Sequence, residues 1–230
     1  MRTVSRNLRL ILPALIALAA ATARAQQPAV RLGAAPLYAD ATGDLGLYLG
    51  PGYGAAAELH WRQSRGAVGL RFDFAYRRFA PATRARPWPG AIPLYIQTGA
   101  HILTVLGGPE VTLERGRSSV SLAAALGVAS RVTSSALDLP TDSARFFRGT
   151  TFSGLAPAGE AIAEALWRVA SGNTPMWVGV SVGVLTMGDL DLVREENVPF
   201  GVISGAYLNP TPTPATFIGA RAGVVIGLRD

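Results

Sequence analysis

The sequence predicts an all-β protein, an eight-stranded antiparallel up-and-down transmembrane β-barrel with short periplasmic turns and long external loops. Three observations carry this. From Thr216 to Arg229 apolar residues alternate strictly with small or charged ones: Ile218, Ala220, Ala222, Val224, Ile226 and Leu228 against Gly219, Arg221, Gly223, Val225, Gly227 and Arg229. A period of two describes a strand with one greasy face. The same weak alternation recurs upstream in short segments, the signature of barrel strands. The connections between those segments alternate long and short along the chain.

The chain of 230 residues has room for one domain and opens with a secretory leader. Arg2, Arg6 and Arg9 form a basic start, and Leu10 to Ala21 is apolar. Ala23-Arg24-Ala25 is an A-x-A site, placing cleavage after Ala25. The apolar run is short of the ~20 residues a spanning helix needs. Residues 1–25 are therefore read as signal peptide and 26–230 as the barrel domain. All 21 basic residues are arginine, and four (Arg2, Arg6, Arg9, Arg24) leave with the leader, so 17 remain against 15 acidic residues. The pI of about 10.4 is thus poor support for nucleic-acid binding, and none is expected. There is no cysteine, so an exported chain must be held without disulfides. A closed barrel meets that need, because every backbone group is paired around the ring.

The first strand is expected at about Ala29–Tyr38, with Val30, Leu32 and Ala34 opposite Arg31, Gly33 and Ala35, followed by a loop from Asp40 to Gly46. The second, near Leu47–Arg62, puts Tyr53, Ala55, Ala57, Leu59 and Trp61 outward and Glu58, His60 and Arg62 inward. Gln63 to Gly66 is a short turn. In the third, Val68, Leu70, Phe72, Phe74 and Tyr76 alternate with Gly69, Arg71, Asp73, Ala75 and Arg77. Arg71 and Asp73 would be costly in an apolar core, whereas a polar lumen accepts them. Arg78 to Gly99, with four prolines, reads as a long loop.

The fourth strand, about Ala100–Glu114, sets Leu103, Val105, Val111 and Leu113 against Thr104, Glu110, Thr112 and Glu114, with a bulge or bend expected at Gly107-Gly108-Pro109. Arg115 to Ser118 is a tight turn. The fifth shows Val120, Leu122, Ala124, Leu126 and Val128 outward, with Ser119, Ser121, Gly127 and Arg131 on the other face. Val132 to Leu155 reads as another long loop. Ala158–Val169 fits a strand, with Glu160, Glu164 and Arg168 inward, but Ile162, Leu166 and Val169 also fit helical spacing. The even strand number of bacterial single-chain barrels selects the strand. After a short turn from Ser171 to Thr174, Met176, Val178, Val180, Val182 and Val184 face out while Trp177, Gly179, Ser181 and Gly183 face in. Met187 to Ala215 is the longest loop, and Thr216–Arg229 closes the ring.

With these features the chain resembles the small eight-stranded outer-membrane proteins, the OmpA/OmpX-like or OmpW-like barrel superfamily. Its motif-like element is a C-terminal assembly signal, matched in order by Arg221, Gly223, Ile226 and Leu228. Leu228 stands where the family usually has an aromatic, and Arg229-Asp230 overhang the end. The resemblance implies residence in the outer membrane of a Gram-negative-type cell envelope. It also implies delivery by periplasmic chaperones and insertion by the barrel-assembly machinery.

The inward positions collect both signs of charge. Arg31, Arg62, Arg71, Arg77, Arg131, Arg168 and Arg221 accompany Glu58, Asp73, Glu110, Glu114, Glu160 and Glu164, with His60 among them. An eight-stranded bore is only wide enough for its own side chains, so these groups are expected to form a paired, plugged polar lumen. His101 shares parity with Leu103 and is expected at the outer interface. No serine lies two residues from either histidine, and no metal, phosphate or cofactor motif appears. The acidic loop residues Asp189, Asp191, Glu195 and Glu196 lack a calcium-loop pattern. Trp61, Tyr76, Trp88, Tyr95, Trp167 and Tyr207 suit aromatic girdles. The leading expectation is a monomeric, non-enzymatic barrel in contact with outer-membrane lipids, with a structural or surface-display role. A narrow porin-like channel or carrier for small hydrophobic molecules, and a lipid-modifying hydrolase or acyltransferase, are the alternatives.

Overall fold

The computed structural model describes residues 30–62, 67–87, 93–138, 147–172, 174–193 and 210–228. Among the described residues there are eight strands: β1 (Val30–Ala41), β2 (Leu49–Arg62), β3 (Val68–Pro87), β4 (Pro93–Arg115), β5 (Ser118–Asp138), β6 (Phe147–Ala170), β7 (Met176–Leu192) and β8 (Thr211–Leu228). Each pairs antiparallel with the next, and β8 pairs with β1, so the sheet closes into a barrel. A short 3-10 helix, Gly43–Leu47, fills the β1–β2 connection, where a plain loop from Asp40 to Gly46 was expected. Closure removes the free edge that an open sheet would present.

The alternation read from the sequence sets the faces. Leu32, Phe72, Val105, Leu122, Val182 and Val224 are exposed on the outer surface. Arg71, Asp73, Arg77 and Thr104 are buried inside. A water-soluble domain has the opposite polarity, and an apolar surface of this extent needs an apolar surrounding. Residues 158–169 are strand, not helix: Ala161 pairs with both Ala124 and Val184. Two flanking strands supply the hydrogen bonds that alanine's helix preference would otherwise direct locally.

Strand lengths depart from expectation. Arg78–Gly99 is mostly strand: β3 runs to Pro87 and β4 starts at Pro93. Val132–Leu155 likewise shrinks, since β5 reaches Asp138 and β6 begins at Phe147. Part of Met187–Ala215 belongs to β7 and β8. Register shifts at Phe79/Ala82 and Met187/Leu190 explain the first and third of these differences. A bulge flips the inside–outside phase, so the alternation breaks although the pairing continues. Pro81 sits in the first of these irregularities, where its missing N–H is tolerated.

The reverse error occurs at Gly107-Gly108-Pro109. Phe72↔Gly107, Arg71↔Gly108 and Leu70↔Pro109 keep one register, and β4–β5 pairing resumes at Glu110↔Ala123 without a shift. No bulge forms. Gly108 is needed for close approach instead, because a Cβ there would lie 2.0 Å from the Ala124 carbonyl oxygen and 2.8 Å from Ala125 Cα. Both obstacles are backbone. Gly108→Ala is expected to cost about 1–3 kcal/mol through forced separation of β4 and β5. A lower urea midpoint in detergent would show it, and an unchanged midpoint would refute this account.

The tight turn after β4 is Gly116-Arg117, with Gly116 at φ 64°, a left-handed conformation suited to glycine. The expected turn at 63–66 lies outside the described residues, as do Trp88, Glu195, Glu196, Tyr207, Arg229, Asp230 and the leader.

Candidate functional site

The barrel interior is layered. At the short-turn end Leu166, Trp177 and Val225 form a small apolar cluster. The Arg31 guanidinium lies over the Trp177 ring, 4.4 Å from its centroid. Arg31 and Arg62 each place Nη2 2.6 Å from Glu114 Oε1.

Above this lies the charged layer. Arg71 donates to Glu58, and its Nη1 donates to Glu164 at 3.2 Å. Arg221 donates to Asp73 and, at 2.8 Å, to Glu160. Arg77 donates to Thr104 Oγ1 at 3.0 Å and to Glu160 at 3.1 Å. His60 Nδ1 is 3.0 Å from Glu110 Oε2, and its Nε2 is 3.5 Å from Glu58 and 4.0 Å from Glu164. Ser121 donates to Glu164 rather than to His60. The geometry therefore brings together Arg31, Glu58, His60, Arg62, Arg71, Asp73, Arg77, Glu110, Glu114, Glu160, Glu164 and Arg221.

Two residues expected in this network lie apart from it. Arg131 pairs with Asp191 at 3.3 Å near the long-loop end, and Thr133 donates to the Asp191 carbonyl. Arg168 donates to the Gly116 carbonyl at 3.1 Å on the exposed short-turn rim. Parity put both on the inward face, but height along the axis separates them from the charged layer. Asp191 is thus committed to an ion pair rather than to an open acidic cluster, and Asp189 is exposed.

Above the charged layer the lumen is apolar, which differs from the expected polar interior. Phe79, Ile102, Leu106, Leu185, Leu190, Leu192 and Phe217 are all 2 % exposed or less and belong to one core, with alanines of β4, β5 and β6. Phe79 and Phe217 stack with centroids 4.7 Å apart. Leu45 of the 3-10 helix and Leu49 cover this tier from the loop end. The signal for it was in the chain: Ile102-Leu103-Thr104-Val105-Leu106 is apolar on both faces, not one.

Glu58, His60 and Glu164 bring ligand atoms within 4.8 Å of one another. Arg71 already bridges Glu58 and Glu164, so this donor set is filled by a guanidinium. His101 faces outward, with Nδ1 2.6 Å from the Tyr76 hydroxyl. Trp61 and Trp167 are exposed toward the short-turn end and Tyr38, Tyr53 and Tyr76 toward the other. That spacing suits two aromatic girdles.

The class of protein that this fold defines is the eight-stranded antiparallel transmembrane-type β-barrel, with an apolar exterior and a filled bore. Among solved structures the chain is similar to Neisserial surface protein A (NspA), with 12 % identity and a TM-score of 0.42 over 87 % of this chain and 97 % of that one. It is also similar to Ail, the attachment invasion locus protein of Yersinia pestis, solved in complex with the heparin analogue sucrose octasulfate. There the identity is 12 % and the TM-score 0.47, over 86 % of this chain and 96 % of that one. No protein-family model and no curated protein sequence matches the chain.

Proposed function

We propose that the chain is a monomeric integral outer-membrane barrel whose sealed interior suits a structural or surface-display role. The observation that carries this is the layered bore: buried ion pairs lie between the Phe79–Phe217 tier and the Trp177 cluster. An ion crossing it would have to break paired charges and then enter a dry apolar layer, each step costing several kcal/mol. The apolar tier is packed with the protein's own side chains, which speaks against a hydrophobic cargo there. His60 sits deep in the charged layer and His101 outside against Tyr76, and among the described residues neither is hydrogen-bonded to a serine as a lipid hydrolase or acyltransferase would require.

Display is supported by strand length. A spanning strand needs ~9–11 residues at a tilt near 45°, whereas β4 has 23 and β6 has 24. The surplus lies at the long-loop end and would stand clear of the bilayer. In this reading the leader is cleaved after Ala25. Chaperones and the assembly machinery would recognise β8 through Arg221, Gly223, Ile226 and Leu228. Gly223, Ile226 and Leu228 lie in the terminal half of β8, and Arg221 faces into the charged layer.

The test joins two measurements. Unheated protein is expected to migrate faster than heated protein in detergent gels, and planar-bilayer recordings are expected to show no unitary conductance. A steady conductance from folded barrels would sink the sealed-bore reading. Identical migration, with the protein soluble in the periplasm, would sink the membrane reading itself.

A further inference from the structure

Arg78 stands out on the exterior. It faces outward and is exposed, continuing the lipid-side row of Val68, Leu70, Phe72, Phe74 and Tyr76 on β3. From Val68 to Arg78 the strand climbs about 25 Å along the axis, at ~3.3 Å per residue and a tilt near 40°. That is the height of the apolar band, so Arg78 marks its upper border, where a guanidinium can reach headgroups. His101 is its direct cross-strand neighbour on β4, and Tyr53 its neighbour on β2. Paired positions on one face hold their Cβ atoms ~4.5–5.5 Å apart. The Tyr76 hydroxyl lies 2.6 Å from His101 Nδ1, so Nε2 is the ring nitrogen that this contact does not engage. Tyr38 stacks edge-on against Tyr53 at 5.5 Å and donates to Asp40 at 2.6 Å.

The opposite side of the barrel lacks these features. The outward residues at matching height on β5 to β8 are Ser130, Pro157, Thr186 and Thr216, none of them charged. Among the described residues the cationic rim is therefore confined to the β1–β4 face.

We propose that Arg78 and His101, flanked by Tyr53 and Tyr76, bind the phosphate of an outer-leaflet lipid headgroup. A guanidinium fork and an imidazole N–H converge where lipid phosphates lie, and the tyrosine rings pack along the lipid below. This inference rests on the membrane reading above and adds a headgroup chemistry to it.

The full chain, reconstituted into phosphatidylcholine vesicles with phosphatidic acid as the phosphomonoester probe, provides the test. Native mass spectrometry after detergent extraction counts the lipid retained. Wild type should retain phosphatidic acid over phosphatidylcholine. R78Q should weaken retention about tenfold, as expected for loss of a charge-assisted hydrogen bond. H101Q should give a smaller loss, R78K partial rescue, and R115Q, on the short-turn rim, no change. Faster gel migration of every unheated sample verifies folding. The site is overturned if the R78Q/H101Q double variant retains phosphatidic acid like wild type, or if R115Q loses as much. It is also overturned if inorganic phosphate in detergent competes as well as the lipid. Insertion without lipid preference would remove this inference alone, whereas failure to insert would remove the membrane reading and this site with it.

Discussion

Arg71→Met will destabilise the barrel by about 3–5 kcal/mol, the scale for removing one partner of a buried ion pair. Arg71 is fully buried and is the hub of the charged layer, in contact with Glu58, Asp73, Glu110 and Glu164. Methionine fills similar space, so the loss comes from stranded carboxylates and not from a void. A lower urea midpoint for loss of the fast-migrating gel band measures it. The triple variant Arg71→Met, Glu58→Gln, Glu164→Gln removes the uncompensated charge and should recover most of the loss. If the single variant is as stable as wild type, the charged layer does not hold the barrel as described.

The charge count of this layer points the same way. Among the described residues five arginines (Arg31, Arg62, Arg71, Arg77, Arg221) meet six carboxylates (Glu58, Asp73, Glu110, Glu114, Glu160, Glu164). His60, placed among Glu58, Glu110 and Glu164, is the remaining titratable side chain of the layer. Arg221 belongs to both the lumen network and the last strand. Its contact with Glu160 of β6 reaches across β7, and its contact with Asp73 of β3 reaches across the β8–β1 seam. Its ion pairs thus join assembly of the terminal strand to completion of the core.

Much of this was legible in the sequence, and the reasons for the gaps are specific. The faces of β3, β7 and β8 follow from period two, because each has one side in an apolar medium. The partners of the buried charges do not follow. Arg31 meets Glu114 of β4, and Arg71 and Arg77 meet Glu164 and Glu160 of β6, across the bore rather than along the sheet. Those pairings depend on the stagger of the closed ring, which local sequence does not encode. Strand ends were lost where bulges reverse the phase, as at Phe79/Ala82. The apolar tier is hidden in the pattern because Leu106 and Leu185 point inward on strands whose outward face is apolar as well.

That tier gives the second large effect. Phe79→Ala is expected to cost about 3–5 kcal/mol, because its ring is buried against Phe217 and the barrel wall cannot collapse into the space. Phe217→Ala should cost a similar amount. The double variant should lose less than the two together, since the rings touch and share one void. Urea midpoints of the heat-modifiable band provide all three values. Strict additivity would mean that the rings act independently and that the tier is not a cooperative plug. The double variant should still be silent in planar bilayers, because the charged layer beneath it remains filled. Conductance steps from that variant alone would assign the seal to the phenylalanine tier and reduce the ion pairs to a stabilising role.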